Sequence, residues 1–301
     1  MNNLTVRQST NHLLMIEPKV FFLNPETQDT NVYQIDEHET HDETLRKAID
    51  EFRAYRNCLV ENGITVTTFQ GIEGCPDHLF PNWASTDPLG NLVLYPMLNP
   101  NRSAERIPRI TDRLEQYYNF VLDLRDEEEN GLALESTGSL VMDHVNKIVY
   151  AGRSKRTDDG LARRWADHRG YQLVMFNTKS HTGKPVYHTD LVMHIGTEYA
   201  GICSACIDDD DRARVVGQLK ETHDVVEYDN EQLKAFCGNS LEVISGEGER
   251  LLTMSKAAQK TLRPEQKEKI LFHMKAIIGT DISTIEHYGG GSARCLIMEL
   301  F

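Results

Sequence analysis

Near its C-terminus the chain reads YGGGSARCLIMELF, so Cys295 follows three consecutive glycines, Gly289–Gly291, whose missing Cβ atoms free the backbone for an unusual path. A cysteine so placed can attack an electron-poor carbon, but only as thiolate. An ordinary thiol ionises near pH ~8.5, so the sulfur needs a base, cation or dipole beside it. Taken alone, the segment favours a buried structural cysteine. A phosphate-cradling loop fits less well, because a strand rather than a helix is expected to follow, beginning near Cys295.

A base and an acid come from YHTDLVMHIG (187–196). Read as a strand, its period of two puts His188 and Asp190 on one face and Thr189 on the other. Imidazole shuttles protons near neutral pH, and a neighbouring carboxylate holds a cationic group or raises imidazole basicity. In LALESTGSLVMD (132–143), Glu135 ends an apolar run before a Thr-Gly turn, where it serves either catalysis or capping of the turn's N–H groups. CPDHLFPNWAST (75–86) gathers Asp77, Asn82 and Trp83 between prolines, in an irregular loop of the kind that lines sites or merely turns the chain.

A metal centre is the competing chemistry, with His181, His188, Asp190 and His194 as candidate ligands. Further ligands at a defined spacing are lacking. The CSAC of 203–206 has no second CxxC or close histidine pair, so packing is its expected role and no metal is expected.

The elements that position these residues are short. LLMIEP, KVFFLN, TVTTFQ, NLVLYPML, FVLDL, KIVYAG, YQLVMFN, HTDLVMHIG, YAGICSAC, LEVIS and CLIMELF read as strands. Helical spacing of apolar residues predicts helices at 40–63, 102–117, 157–168, 209–221, 229–236, 255–260 and 263–277. Their alternation indicates an α/β or α+β architecture. No repeat and no Pro/Gly/Ser-rich linker is visible, so one domain, 1–301, is expected. The acidic DDDD of 208–211 precedes a helix, where carboxylates favour the positive end of the dipole.

Composition narrows the class. At 40% hydrophobic and 8% aromatic residues the 301-residue chain carries enough apolar mass for a folded core. A net charge of −14 without a Lys/Arg block speaks against nucleic acid or an anionic membrane as partner. MNNLTVRQSTNHLLMIEP shows no basic region followed by an apolar run, and no stretch approaches the ~18 apolar residues of a membrane span, so a cytoplasmic location is expected. Six cysteines in so long a chain are expected to be reduced.

Taken together and in order, PDHLFPNW, LESTGS, HTD and GGGSARC resemble the motifs of the guanidino-group modifying superfamily: arginine deiminases, dimethylarginine dimethylaminohydrolases and amidinotransferases. The likeness spans nearly the whole chain from MIEPKVFFLNPETQDTN (15–31), and is strongest to the bacterial amidinotransferase-like branch that includes citrulline-utilisation hydrolases. The resemblance implies a pentein-type fold, a pseudo-symmetric five-bladed α/β propeller of ββαβ blades.

It also implies roles. Cys295 is the nucleophile toward a guanidino or ureido carbon, His188 the proton carrier, and Glu135 the group that holds substrate nitrogens and supports the histidine. Asp190 binds the planar cation, Asp77 is a substrate-binding acid of the first loop, and Arg156, with Arg153 as the near alternative, binds the substrate carboxylate. Two positions depart from the pattern. Asn82 stands where arginine deiminases have aspartate, replacing a charge by an amide that both donates and accepts, which suits a neutral ureido group. Ser136 stands where many relatives have glycine. The expected activity is hydrolysis of a C–N bond in arginine, a methylated arginine or citrulline, without cofactor. The alternatives are amidino transfer to an amine and a non-catalytic binding propeller. The expected partner is a small guanidino or ureido amino acid, and homo-oligomerisation is compatible with the sequence.

Overall fold

The computed structural model describes residues 6–35 and 37–301. Among the described residues, fifteen strands form five separate three-stranded sheets. In chain order they are β1 (His12–Glu17), β2 (Thr65–Gln70), β3 (Ala84–Thr86), β4 (Asn91–Leu94), β5 (Asn119–Asp123), β6 (Val141–Asp143), β7 (Ile148–Gly152) and β8 (Gln172–Phe176). There follow β9 (Met193–Ile195), β10 (Tyr199–Ile202), β11 (Asp224–Glu227), β12 (Leu241–Ile244), β13 (Arg250–Thr253), β14 (Ala276–Ile278) and β15 (Met298–Glu299).

Each sheet repeats one plan. A middle strand pairs antiparallel with one neighbour and parallel with the other, and a helix makes the parallel crossover. Thus β6–β7 run antiparallel and β7–β8 parallel, with helix Asp159–Arg169 between the latter two. Helices His41–Glu61, Pro108–Tyr117, Asp209–Lys220 and Pro264–His273 do the same elsewhere. The first sheet is completed from the far end of the chain: β15 pairs antiparallel with β1, Leu13 opposite Glu299.

The local reasons are ordinary ones. Helix His41–Glu61 begins at a capping box, Thr40 with Glu43, and buries Thr44, Ala48, Phe52, Tyr55 and Leu59 at spacings of three and four. Helix Asp159–Arg169 starts where the Asp158 carboxylate accepts from Leu161 N and ends on Gly170 in the left-handed region. Middle strand β7, IVYAG, is buried along its whole length, which is why it reads as a continuous apolar run.

Three expectations need correction. HTDLVMHIG is not one strand: Thr189–Val192 forms a single helical turn and only Met193–Ile195 is β. The Thr189 hydroxyl donates to Ser139 O and accepts from Gly152 N, bonding backbone that a strand would pair otherwise. The terminal strand does not begin near Cys295. Helix Ser283–Gly289 leads into a turn through Gly290, whose φ of 62° caps that helix, and β structure starts only at Met298. KVFFLN runs as bends rather than a strand, β3, β6, β11 and β13 lie in stretches not expected to be strands, and β14 overlaps the end of the expected helix 263–277, which stops at His273. Among the described residues, no helix is long and apolar enough to cross a membrane.

Candidate active site

The turns that leave the sheets bring the chemistry together. His188 stands immediately before its helical turn and projects onto Glu135, Nε2 lying 2.8 Å from Oε2. Glu135 stands before the helical turn Ser136–Ser139, reached through Ser136 at a φ of +46°, an uncommon value for a residue with a Cβ. The Ser136 hydroxyl donates to Ala84 O and the Ser139 hydroxyl to Arg156 O, which fix that bend. Glu135 does not cap its own turn. Its Oε1 accepts from Leu98 N at 3.1 Å, and its Oε2 is shared by His188 and the Arg156 guanidinium, 3.5 Å away.

Burial opposes ionisation of Glu135, but the Arg156 charge, the His188 hydrogen bond and the Arg102 charge outweigh it and hold the carboxyl well below its ordinary range. An ionised carboxylate only accepts, so His188 Nε2 carries the proton toward it. That leaves Nδ1, buried and without a hydrogen-bond partner, as the atom able to take a proton.

Cys295 Sγ lies 3.4 Å from Asp190 Oδ2 and 3.2 Å from Asn239 Nδ2. Burial, then the Asp190 charge, push the thiol far up, with the Ser292 backbone and Asn239 opposing. Both effects favour the thiol over the thiolate at Cys295. Asp190 is itself pushed up by burial, against the pull of His188 and Arg294.

A cavity of about 10 Å³, room for roughly one water, is lined by Cys295, His188, Asp77, Asn82 and Arg156. Glu135 and Asp190 stand behind it, the first backing the histidine and the second the sulfur. Asp190 lines instead a neighbouring polar cavity of about 30 Å³ together with Arg294 and Glu299. Asp77 is held by Asn24 (2.7 Å) and Thr27 (3.3 Å) through Oδ2, while Oδ1 is buried and unpartnered. Arg153, the alternative carboxylate anchor, is 37% exposed and paired with Asp159, whereas Arg156 is 2% exposed and stacks on Tyr187.

Two features escaped the sequence reading. Arg102 lines the same cavity, buried, donating to Glu105 at 2.7 Å and to Phe80 O at 2.5 Å. Its signal was an Arg and a Glu three apart inside an expected helix, which reads equally as a surface pair. The other is a strap over the cavity, residues 24–34. Thr30 accepts from Arg156, Asn31 donates to Gly289 O and Gln34 donates to Tyr288 O, polar contacts that leave no periodic trace in sequence. No cluster of ligating side chains fit for a metal ion occurs among the described residues.

The family model described as N,N dimethylarginine dimethylhydrolase, eukaryotic, matches residues 17–301. No curated protein sequence matches the chain. Among solved structures, the N-terminal domain of ArgZ, an arginine dihydrolase from the ornithine-ammonia cycle in cyanobacteria, superposes with a TM-score of 0.75 at 18% identity, covering 96% of this chain and 97% of that one. Unliganded AgrE gives 0.77 at 17% identity, over 96% of this chain and 39% of its own. The dimethylarginine dimethylaminohydrolase of Pseudomonas aeruginosa, in a cysteine-to-serine form complexed with citrulline, gives 0.66 at 13% identity over 97% and 100%. The chain spans about two fifths of full-length ArgZ and AgrE.

Proposed function

Because the chain belongs to the N,N-dimethylarginine dimethylhydrolase family, hydrolases of guanidino C–N bonds, we propose that it hydrolyses a linear guanidino or ureido amino acid through a covalent intermediate on Cys295. The observation that carries the proposal is one small cavity lined by Cys295, His188 and Asp77, an oxygen of Asp77 being buried and unpartnered, with Glu135 bonded to the histidine. The reading also takes residues 1–301 as one domain, its five sheets as the blades of a propeller closed by β15 on β1, and its place of work as the cytoplasm, where the six unpaired cysteines stay reduced.

The steps follow from the groups present. A planar substrate enters between Asp77 and Asn82, with its carboxylate toward Arg156 and Arg102, whose guanidinium groups match carboxylate geometry. A cationic substrate offsets the Asp190 charge that keeps the sulfur protonated, and the thiol proton passes to His188 Nδ1. The sulfur bonds to the central carbon, the C–N bond breaks, and His188 returns the proton to the departing amine. His188 then takes a proton from water, whose oxygen bonds to the same carbon as the C–S bond breaks, and passes that proton to the departing sulfur, which restores the thiol. Glu135 stabilises the imidazolium at both stages. Asn82 extends the range toward a neutral ureido group, since its amide both donates and accepts.

The relatives support this reading. A cysteine-to-serine ArgZ is described bound to substrate, and an asparagine-to-serine ArgZ is described covalently bonded to a reaction intermediate. Citrulline occupies the Pseudomonas enzyme. A cavity near 10 Å³ does not admit an amino acid, so the strap 24–34 opens for exchange and closes for chemistry.

Turnover of arginine, citrulline, methylarginines and agmatine is to be measured for the wild type and Cys295→Ala. The variant is expected to lose at least about 10³-fold in kcat. Unchanged turnover in the variant would sink the proposal.

A further inference from the structure

We propose that Asn239 is a further catalytic residue, one whose amide N–H donates to the Cys295 sulfur while its carbonyl oxygen holds the backbone that carries that sulfur. Asn239 is fully buried. Its Oδ1 accepts from Arg294 N at 3.0 Å and from Cys295 N at 3.2 Å. Its Nδ2 donates to Asp190 O at 3.2 Å and to Cys295 Sγ at 3.2 Å. The two backbone N–H donors settle which end of the amide is oxygen, so the end facing the sulfur is the donor. One side chain thus bonds the nucleophile's sulfur, the nucleophile's backbone and the backbone of the His-x-Asp turn.

The surrounding turn is built for that placement. Phe236, with a Cβ, sits at a φ of +62°. A Cβ on Gly238 would lie 2.1 Å from Leu191 O, so glycine there lets residues 236–239 press against the turn bearing Asp190. Strain of this kind persists where the surroundings over-determine it.

The chemistry calls for such a donor. Burial and the Asp190 charge both oppose a thiolate at Cys295, and among the described residues no lysine or arginine is bonded to the sulfur. A preorganised N–H aimed at the developing charge stabilises it without reorganisation. The same donor stabilises the sulfur again when the C–S bond breaks and the thiolate departs.

The proposal rests on Cys295 as nucleophile, but its test does not need turnover. The pH titration of the Cys295 thiolate is followed by ultraviolet absorbance on the full-length chain, as the difference from Cys295→Ser. It is compared among wild type, Asn239→Ala and Asn239→Leu, neither of which adds charge. Both variants are expected to move the midpoint upward, and to lower kcat about 10- to 100-fold with KM within about twofold. The leucine variant retains the bulk of the site, so it decides the matter where the alanine variant fails to fold. An unmoved midpoint in a folded variant overturns the proposal while leaving Cys295 as nucleophile; a wild type without turnover or thiolate signal overturns the functional reading instead.

Discussion

Glu135 is where residue-scale chemistry concentrates, because its two oxygens serve Leu98 N, His188 and Arg156 at once. Glu135→Gln keeps the shape and removes the charge. Its kcat is expected to fall about 100-fold with a smaller change in KM, since the imidazolium loses its counter-charge while the substrate contacts remain. A gel-filtration and circular-dichroism match to wild type identifies the loss as chemical. At this scale the sequence was informative in identity and poor in arrangement. Cys295, His188, Asp77, Asn82 and Arg156 do meet in one cavity, but Glu135 and Asp190 stand behind it as partners of the histidine and the sulfur. A motif names a residue type at a position; whether a carboxylate lines the cavity or backs another group depends on bonds to distant segments such as Leu98 and Asn239.

The elements carrying the site are turns of four residues rather than long strands, and this explains what periodicity missed. A strand would put His188 and Asp190 on one face, whereas in the helical turn they reach different partners, Glu135 and Cys295, and the Thr189 hydroxyl, bonding Ser139 O and Gly152 N, holds the turn in place. Those two bonds need partners 37 and 50 residues away. The same packing makes Gly138 critical: a Cβ there would lie 2.6 Å from His188 Nδ1, the ring nitrogen left free for proton transfer. Gly138→Ala is therefore expected to displace the imidazole and reduce kcat at least about 10-fold, because misplacement of this size disrupts reactive geometry. Retention of full kcat in the alanine variant would show that the ring is not held against this turn.

For the whole molecule, the five repeats of strand pair, helix and parallel strand were legible as α/β alternation, and the crossover helices overlap the ranges apolar spacing gave, although 102–117 breaks between Ser103 and Pro108 and 263–277 ends at His273, before β14. The five-sheet organisation was not legible, since β3, β6, β9 and β14 have only three residues each, too few to show a period. The chain's closing segment also sets a pH dependence. Glu286, in the helix before the glycines, is buried and accepts from Ser292 Oγ at 2.5 Å. Burial raises its carboxyl from 4.5 to about 7, against Ser292, Ser255 and His287 and with Asp281 adding to the rise. The folded state thus holds this proton more tightly than the unfolded chain, so its contribution is full below pH 4.5 and is lost as pH rises through about 7. Urea unfolding across that window should show wild type losing roughly 3 kcal/mol from this group, and Glu286→Gln should flatten the decline.

The central claim is the bond between Cys295 and substrate carbon. Acid quench during turnover of arginine or citrulline, followed by mass spectrometry of the Cys295 peptide, reads it directly. An adduct on Cys295 with the mass of the substrate less its departing amine is the predicted result. Active turnover with Cys295 unmodified at every quench time, and undiminished in Cys295→Ala, would contradict it.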